Sequence, residues 1–235
     1  MIDIHTHILP GIDDGARDFV GSVATVRWLV NQGVTDIIAT PHYVDETNFV
    51  SERARNQELL EELKVLLEEE KVRVNLFLGN ELYISRNLRD LLEKRRIASL
   101  ADSKYVLVEL PLNEEFPNYI DYFLDLMEGG YKIILAHPER YVIIQDNYDI
   151  AKELHKMGIL FQSNLRSLDG KYGMGAKKIV KKLAKDKMIF TFASDTHHAS
   201  RNFSLLAAQK KLLKYYNERE IAHLLRINPG RILGR

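Results

Sequence analysis

The chain has 235 residues, 46% of them hydrophobic and 28% charged, which is enough for one large core and sets it among ordinary globular chains. Its 33 basic and 33 acidic side chains cancel, so no global field steers it to nucleic acid or to an anionic membrane, and no apolar run approaches the length that spans a bilayer. The lack of a charged-then-apolar leader points to the cytoplasm, and zero cysteines exclude disulfides, thiolate ligands and a cysteine nucleophile.

Ile2 and Ile4 alternate with Asp3 and His5, which predicts a short strand running into a turn at Pro10-Gly11. Histidines at 5 and 7 on an extended backbone point the same way and can reach one cation. An HxH pair also arises by accident on surfaces, so the rest of the chain has to decide its meaning. Residues 20–31 carry apolar side chains at helical spacing and stop at Gly33; 34–40 is strand-like and ends at Pro41-His42. A charged helix over 52–70, with leucines recurring at three and four, leads to a strand over 72–78 that ends in Gly79-Asn80-Glu81. The same alternation continues with a helix at 88–96, a strand at 105–108 ending at Glu109, a helix at 119–127, and a strand at 132–136 running into His137-Pro138-Glu139-Arg140. A helix at 149–157, a strand at 159–162, a lysine-bearing helix at 177–185 and a strand at 188–193 ending in Ser194-Asp195-Thr196-His197 follow, and helices at 203–216 and 218–225 close the chain.

Seven strand-then-helix units with short connections predict a single α/β domain over 1–235 with parallel strands, a (β/α)7 or distorted (β/α)8 barrel. A doubly wound open sheet is the alternative, but no glycine-rich dinucleotide loop follows the first strand.

In such barrels the chemistry sits at the C-terminal ends of the strands. Read there, the chain offers His5, His7, His42, Glu81, Glu109, His137, Asp195 and His197, with Asp14 in the first loop. One strand-end histidine reads as a satisfied core residue; five of the eight, joined by four carboxylates, do not. Crowding these groups is costly without cations. A sulfur-free donor set suits manganese, iron, zinc or magnesium, and nine ligands at about four to six positions per ion imply two or three ions. Glu81 is the natural bridge, facing the HxH pair across the mouth. Arg140 and Arg201 follow ligand positions and match a phosphate-binding fork, the other reading being surface arginines. Gly170-Lys171-Tyr172-Gly173 could cradle an anion at a helix N-terminus, whereas the lysines at 177, 178, 181, 182 and 185 read as a solvated face.

These residues together resemble the PHP (polymerase and histidinol phosphatase) superfamily and, within it, the bacterial tyrosine-protein phosphatases associated with capsule and exopolysaccharide synthesis. The matching pieces are IDIHTHILPGIDDG at 2–15, ATPH at 39–42, GNE at 79–81, VEL at 108–110, AHPER at 136–140, and SDTH at 194–197 with Ser200-Arg201. The resemblance implies a PHP-type distorted (β/α)7 barrel with a trinuclear, commonly manganese centre, cobalt being a further option. Its ligands would be His5, His7, Asp14, His42, Glu81, Glu109, His137, Asp195 and His197, with Arg140 and Arg201 on the phosphate. Tyr43 stands where relatives often carry a histidine or arginine, which puts a basic contribution from that position in doubt. The implied reaction is hydrolysis of phosphotyrosine by a metal-bound hydroxide, the water's pKa falling from ~15.7 toward ~7, with His42, Asp14 or a metal-held water protonating the phenolate. The implied partner is the C-terminal tail of a bacterial tyrosine kinase. A histidinol-phosphate or other small-molecule phosphomonoesterase would share every ligand; an amidohydrolase-type metal enzyme and a non-catalytic kinase-tail binding module are the more distant alternatives.

Overall fold

The computed structural model of the chain describes residues 1–45, 47, 49–113, 118–199 and 203–235. Among them lie β1 (Ile2–Thr6), β2 (Asp36–Ala39), β3 (His42–Tyr43), β4 (Asn75–Leu78), β5 (Glu81–Tyr83), β6 (Tyr105–Glu109), β7 (Lys132–Ala136), β8 (Leu160–Asn164) and β9 (Ile189–Ala193), paired in parallel throughout. The helices are α1 (Phe19–Asn31), α2 (Arg53–Glu69), α3 (Leu88–Glu93), α4 (Tyr119–Glu128), α5 (Val142–Asp146), α6 (Asp149–Lys156), α7 (Gly173–Lys185), α8 (Leu205–Lys211), α9 (Glu218–Ala222) and α10 (Asn228–Ile232). None of the described helices is long and apolar enough to cross a membrane.

The strands form a three-stranded sheet, β1-β2-β4, and a six-stranded one, β3-β5-β6-β7-β8-β9. The second and third strands of the sequence pattern are each interrupted, at Thr40-Pro41 and at Gly79-Asn80, so β2 and β3 are two halves of one run, as are β4 and β5. On the other side β9 returns to β1: Thr6 bridges Thr196 in parallel, His7 N–H donates to the Thr196 carbonyl at 2.9 Å, and Asp195 N–H donates to that of His5 at 3.1 Å. Seven strand positions thus follow one another round a circuit in the predicted (β/α)7 order, distorted at the two breaks.

The breaks have local causes. Pro41 has no N–H to continue a ladder. A side chain at Gly79 would start 2.8 Å from Leu100 Cδ2. Asn80, buried, ties the break to its surroundings: its amide donates to the Pro41 carbonyl and to Ser51 Oγ, both at 3.1 Å, and its oxygen accepts from Ala98 N–H at 2.9 Å, while Glu81 N–H resumes the backbone pairing on the Pro41 carbonyl at 3.1 Å.

Alternate strand residues enter two different apolar clusters. Ile37, Ala39, Val106, Val108, Ile133 and Leu135 join the larger, together with helix residues such as Leu29, Leu63 and Leu126, so this face of the strands meets the helices. Ile38, Leu107, Ile134, Ala136 and Ala193 join the smaller one with Ile4 and Ile232, where the strands converge on each other. The two-residue period places Glu109 in the row of Leu107.

Some predicted bounds shift. The helix expected over 203–216 is α8 followed by a 3-10 turn, Leu212–Lys214, and the one over 218–225 is α9 running into a π-helical turn, His223–Ile227. α5 and α10 are too short for periodicity to reveal. Asn80→Ala, which strands the Ala98 N–H while the Pro41 carbonyl keeps its bond from Glu81 N–H, is expected to lower unfolding free energy by about 2 kcal/mol in urea titration.

Candidate metal centre

The mouth of the strand circuit brings all nine predicted ligand positions together. Their donor atoms fall into four overlapping groups whose members lie within 4.8 Å of one another: His5-His7-Glu81, His5-His137-Asp195, His42-Glu81-Glu109, and His7-Asp14-His42-His197. Glu81 is at the middle. Its Oε2 is 3.1 Å from His5 Nε2, 3.4 Å from His7 Nε2 and 3.0 Å from His42 Nδ1, and its Oε1 is 3.0 Å from His137 Nε2. Asp195 Oδ1 lies 3.6 Å from both His5 and His7 Nε2, and Glu109 Oε1 lies 3.5 Å from His137 Nε2. Asp14 sits at the outer edge, 57% exposed, with Oδ1 3.3 Å from His197 Nε2 and 3.6 Å from His42 Nε2.

Local backbone makes this convergence possible. His137 (φ 32°) and Asp195 (φ 50°) take left-handed conformations directly after β7 and β9, a strained choice for residues with a Cβ and one that turns their side chains out of the strand alternation. Gly15 lets the first loop close over β1, since a Cβ there would lie 2.1 Å from the His7 carbonyl.

A family model for capsular polysaccharide synthesis, CpsB/CapC, matches residues 1–234. The chain belongs to this family. It is 35% identical to the tyrosine-protein phosphatase YwqE of Bacillus subtilis, over 99% of this chain and 91% of that one. It is 34% identical to the putative tyrosine-protein phosphatase CapC of Staphylococcus aureus, over 94% and 87% of the two chains. A solved structure from the pair YwqE of Bacillus subtilis and CpsB of Streptococcus pneumoniae, metal-dependent tyrosine phosphatases, superposes with a TM-score of 0.90 at 33% identity, covering all of this chain and 94% of the other.

The residues of this family member fit divalent ions on their own chemistry. His5 Nδ1–H donates to Gln162 Oε1 and His7 Nδ1–H to Asp13 Oδ2, each at 2.8 Å, so the Nε2 lone pairs of the two rings face each other across 3.2 Å. Nδ1 of His42 and of His137 are buried with no hydrogen-bond partner, the former in spite of its 3.0 Å approach to Glu81. That approach lacks hydrogen-bond alignment; the two donors converge on a shared point.

The electrostatics say the same. Burial works against charge on His5, yet Glu81 and Asp195 raise its pKa to about 9. Burial opposes His7 too, and Asp13 and Glu81 hold it well above the ordinary range. Burial and the Glu81 carboxylate push Glu109 far up, whereas Glu81, though equally penalised by burial, is held low by His5 and His42. Burial and Arg140 bring His137 down to about 4. The carboxylates therefore draw positive charge toward the centre of the pocket, a demand that cations meet in a metal site.

Sequence reasoning missed the residues that hold the ligands. Asp13, not Asp14, orients His7, and it also accepts from His42 N–H at 3.1 Å and Gly15 N–H at 2.9 Å. From β8, Gln162 fixes His5, donates to Asn164 Oδ1 at 2.8 Å, and Asn164 donates to Asp195 Oδ2 at 2.6 Å. Polar residues at the end of a predicted strand were the available signal. Buried Glu139 accepts from Asn164 N–H at 2.8 Å and Ser167 Oγ at 2.6 Å, supporting the same segment. Arg140 lines the mouth, donating to Asp195 Oδ2 at 3.2 Å and lying 4.5 Å over the Tyr172 ring. Lys171 and Tyr172, from the glycine-flanked segment, line the same cavity, while α7 begins at Gly173 rather than at 177. Arg201, the second arginine of the expected fork, lies with Ser200 outside the described residues.

Outer partners that fix imidazole orientation are worth about 10–100-fold in metal affinity. Asp13→Asn is accordingly expected to bind manganese at least about tenfold more weakly than the native chain in calorimetric titration, with an unchanged circular-dichroism spectrum.

Proposed function

We propose that the chain is a metal-dependent protein-tyrosine phosphatase, a single PHP phosphatase domain over 1–235 that acts in the cytoplasm on a phosphotyrosine of the capsular or exopolysaccharide machinery, the C-terminal tail of a tyrosine kinase. The observation that carries it is the placement of Arg140 against Asp195, so that a phosphate-matching guanidinium borders a cluster of imidazoles and carboxylates in one cavity of about 580 Å³. With no cysteine in the chain, no thiolate route to phosphotyrosine exists.

His5, His7, Asp14, His42, Glu81, Glu109, His137, Asp195 and His197 would hold two or three divalent ions, manganese by preference. When bound, such ions supply Lewis-acid charge and an acidified water. The chain's own part is positioning. Arg140 stays charged at any working pH, and its contacts with Asp195 and Tyr172 leave other N–H groups of the fork for phosphoryl oxygens. Arg201 is proposed as the second contact on the phosphate. Val44, Phe49 and Leu112 give the cavity an apolar lining for a phenyl ring, with the Phe49 ring 6.0 Å from that of His42. The proton for the departing phenolate would come from a metal-held water, from His42 or from Asp14, the two side chains lying at the outer edge of the cluster.

Manganese-dependent phosphate release from a phosphotyrosine peptide, measured against histidinol phosphate, tests this reading. The peptide should be the better substrate. His5→Ala should lose both metal and activity, and Arg140→Ala should keep its metal while kcat/KM falls by about 10²–10³. Native kinetics in Arg140→Ala would remove the fork, and preference for histidinol phosphate would favour the small-molecule phosphomonoesterase.

A further inference from the structure

A second arginine of the cavity has no ion-pair partner among the described residues. Arg166 lies in the 3-10 turn Leu165–Asp169 that follows β8, and it lines the same cavity as Arg140. Its guanidinium stacks over the Phe203 ring, 4.6 Å from the centroid. Its Nε is buried and finds no acceptor, and no carboxylate among the described residues lies within ion-pair reach of it. The contrast with Arg140, which is anchored to Asp195 inside the cluster, is chemical as well as positional. Arg166 makes no hydrogen bond to any of the nine clustered residues, so nothing ties it to the seat of the transferred phosphoryl group. A half-buried guanidinium with an orphaned N–H is costly until an anion supplies the acceptor. Stacking on an aromatic face presets the plane of the fork, which suits a carboxylate taken edge-on. Lys171, exposed on the same cavity wall, adds a second positive charge.

We propose that Arg166 is a specificity-determining residue which, assisted by Lys171, receives the carboxylate of an acidic side chain next to the phosphotyrosine, so that the enzyme selects phosphopeptides with acidic flanks. This rests on the phosphotyrosine reading. Arg140 and the cluster handle the phosphate itself, and Arg166 reads what lies beside it.

The test compares three substrates with the manganese-loaded enzyme: p-nitrophenyl phosphate, a phosphotyrosine peptide with glutamates on both sides, and the same peptide with glutamines. The native enzyme should show a KM about tenfold lower for the glutamate peptide, the size expected for one charge-assisted hydrogen-bonded contact. Arg166→Gln should raise that KM to the glutamine peptide's value, leave kcat unchanged and leave p-nitrophenyl phosphate within about twofold. Arg166→Lys, which keeps the charge without the fork, should fall between, and Lys171→Gln, at an exposed site where folding is not at risk, should cost about two- to threefold on the glutamate peptide alone. Equal KM values for the two peptides in the native enzyme would overturn the assignment. So would an Arg166→Gln defect that is equal on all three substrates, which would place the residue on the transferred phosphate or in the scaffold. No native turnover of any phosphotyrosine substrate would instead remove the phosphatase reading, and this proposal with it.

Discussion

Glu81 has four imidazoles around one carboxylate, and that crowding sets the terms for everything near the mouth. Its carboxylate and those of Glu109 and Asp195 cannot all be ionised in a dry pocket without positive charge between them. In this chain the geometry answers that demand by aiming ring nitrogens at shared points, and the same carboxylates raise the pKa of His5 and His7 against the effect of burial. The interruption at Gly79-Asn80 follows from the same requirement. It puts Glu81 at the start of β5, beside His42 of β3, with the Asn80 amide adding side-chain hydrogen bonds to the Pro41 carbonyl and Ser51 that brace the break.

Around the clustered donors runs a layer that does no chemistry itself but restricts each donor to one orientation. Asp13 holds His7 and the backbone of residue 42; Gln162 holds His5; Asn164 holds Asp195. Because Gln162 also bonds to Asn164, a β1 ligand and the ligand after β9 are oriented through one amide chain on β8. Such a chain fixes tautomers, so the donor atoms facing inward are set by the scaffold before any ligand arrives.

The barrel and its nine strand-end donors were legible because both are periodic: apolar strands of a few residues, each followed by a polar punctuation mark. His5 and His7 announce themselves by spacing, and Glu81 and Glu109 by ending apolar runs. Asp13 was not legible, because in the pair Asp13-Asp14 nothing in the spacing says which carboxylate turns inward; the fold decides through the close packing of Gly15 on His7. Gln162 and Asn164 carry neutral side chains that do not stand out as ligand supports, although Gln162 closes the strand predicted over 159–162 and Asn164 lies two residues beyond it. The left-handed turns at His137 and Asp195 leave no mark in the sequence either, since glycine, the residue that would have flagged them, is absent there. Arg166 carries no signal in the sequence, because its unpaired Nε and its place on the cavity wall exist only in the fold.

The circuit closes where Thr6 meets Thr196, and that seam bears on how the protein is made. His5 and Asp195 are partners across the mouth although nearly the whole chain separates them. A ribosome that has delivered the first five strand positions has released most of the donors, yet Asp195 and His197, and the strand that locks β1 into place, are still to come. The donor cluster is therefore complete only once residues 189–197 have been made, and a chain truncated before its last strand cannot assemble it. The long sequence separation acts as a checkpoint: only a copy that extends through residue 197 brings all nine donors together.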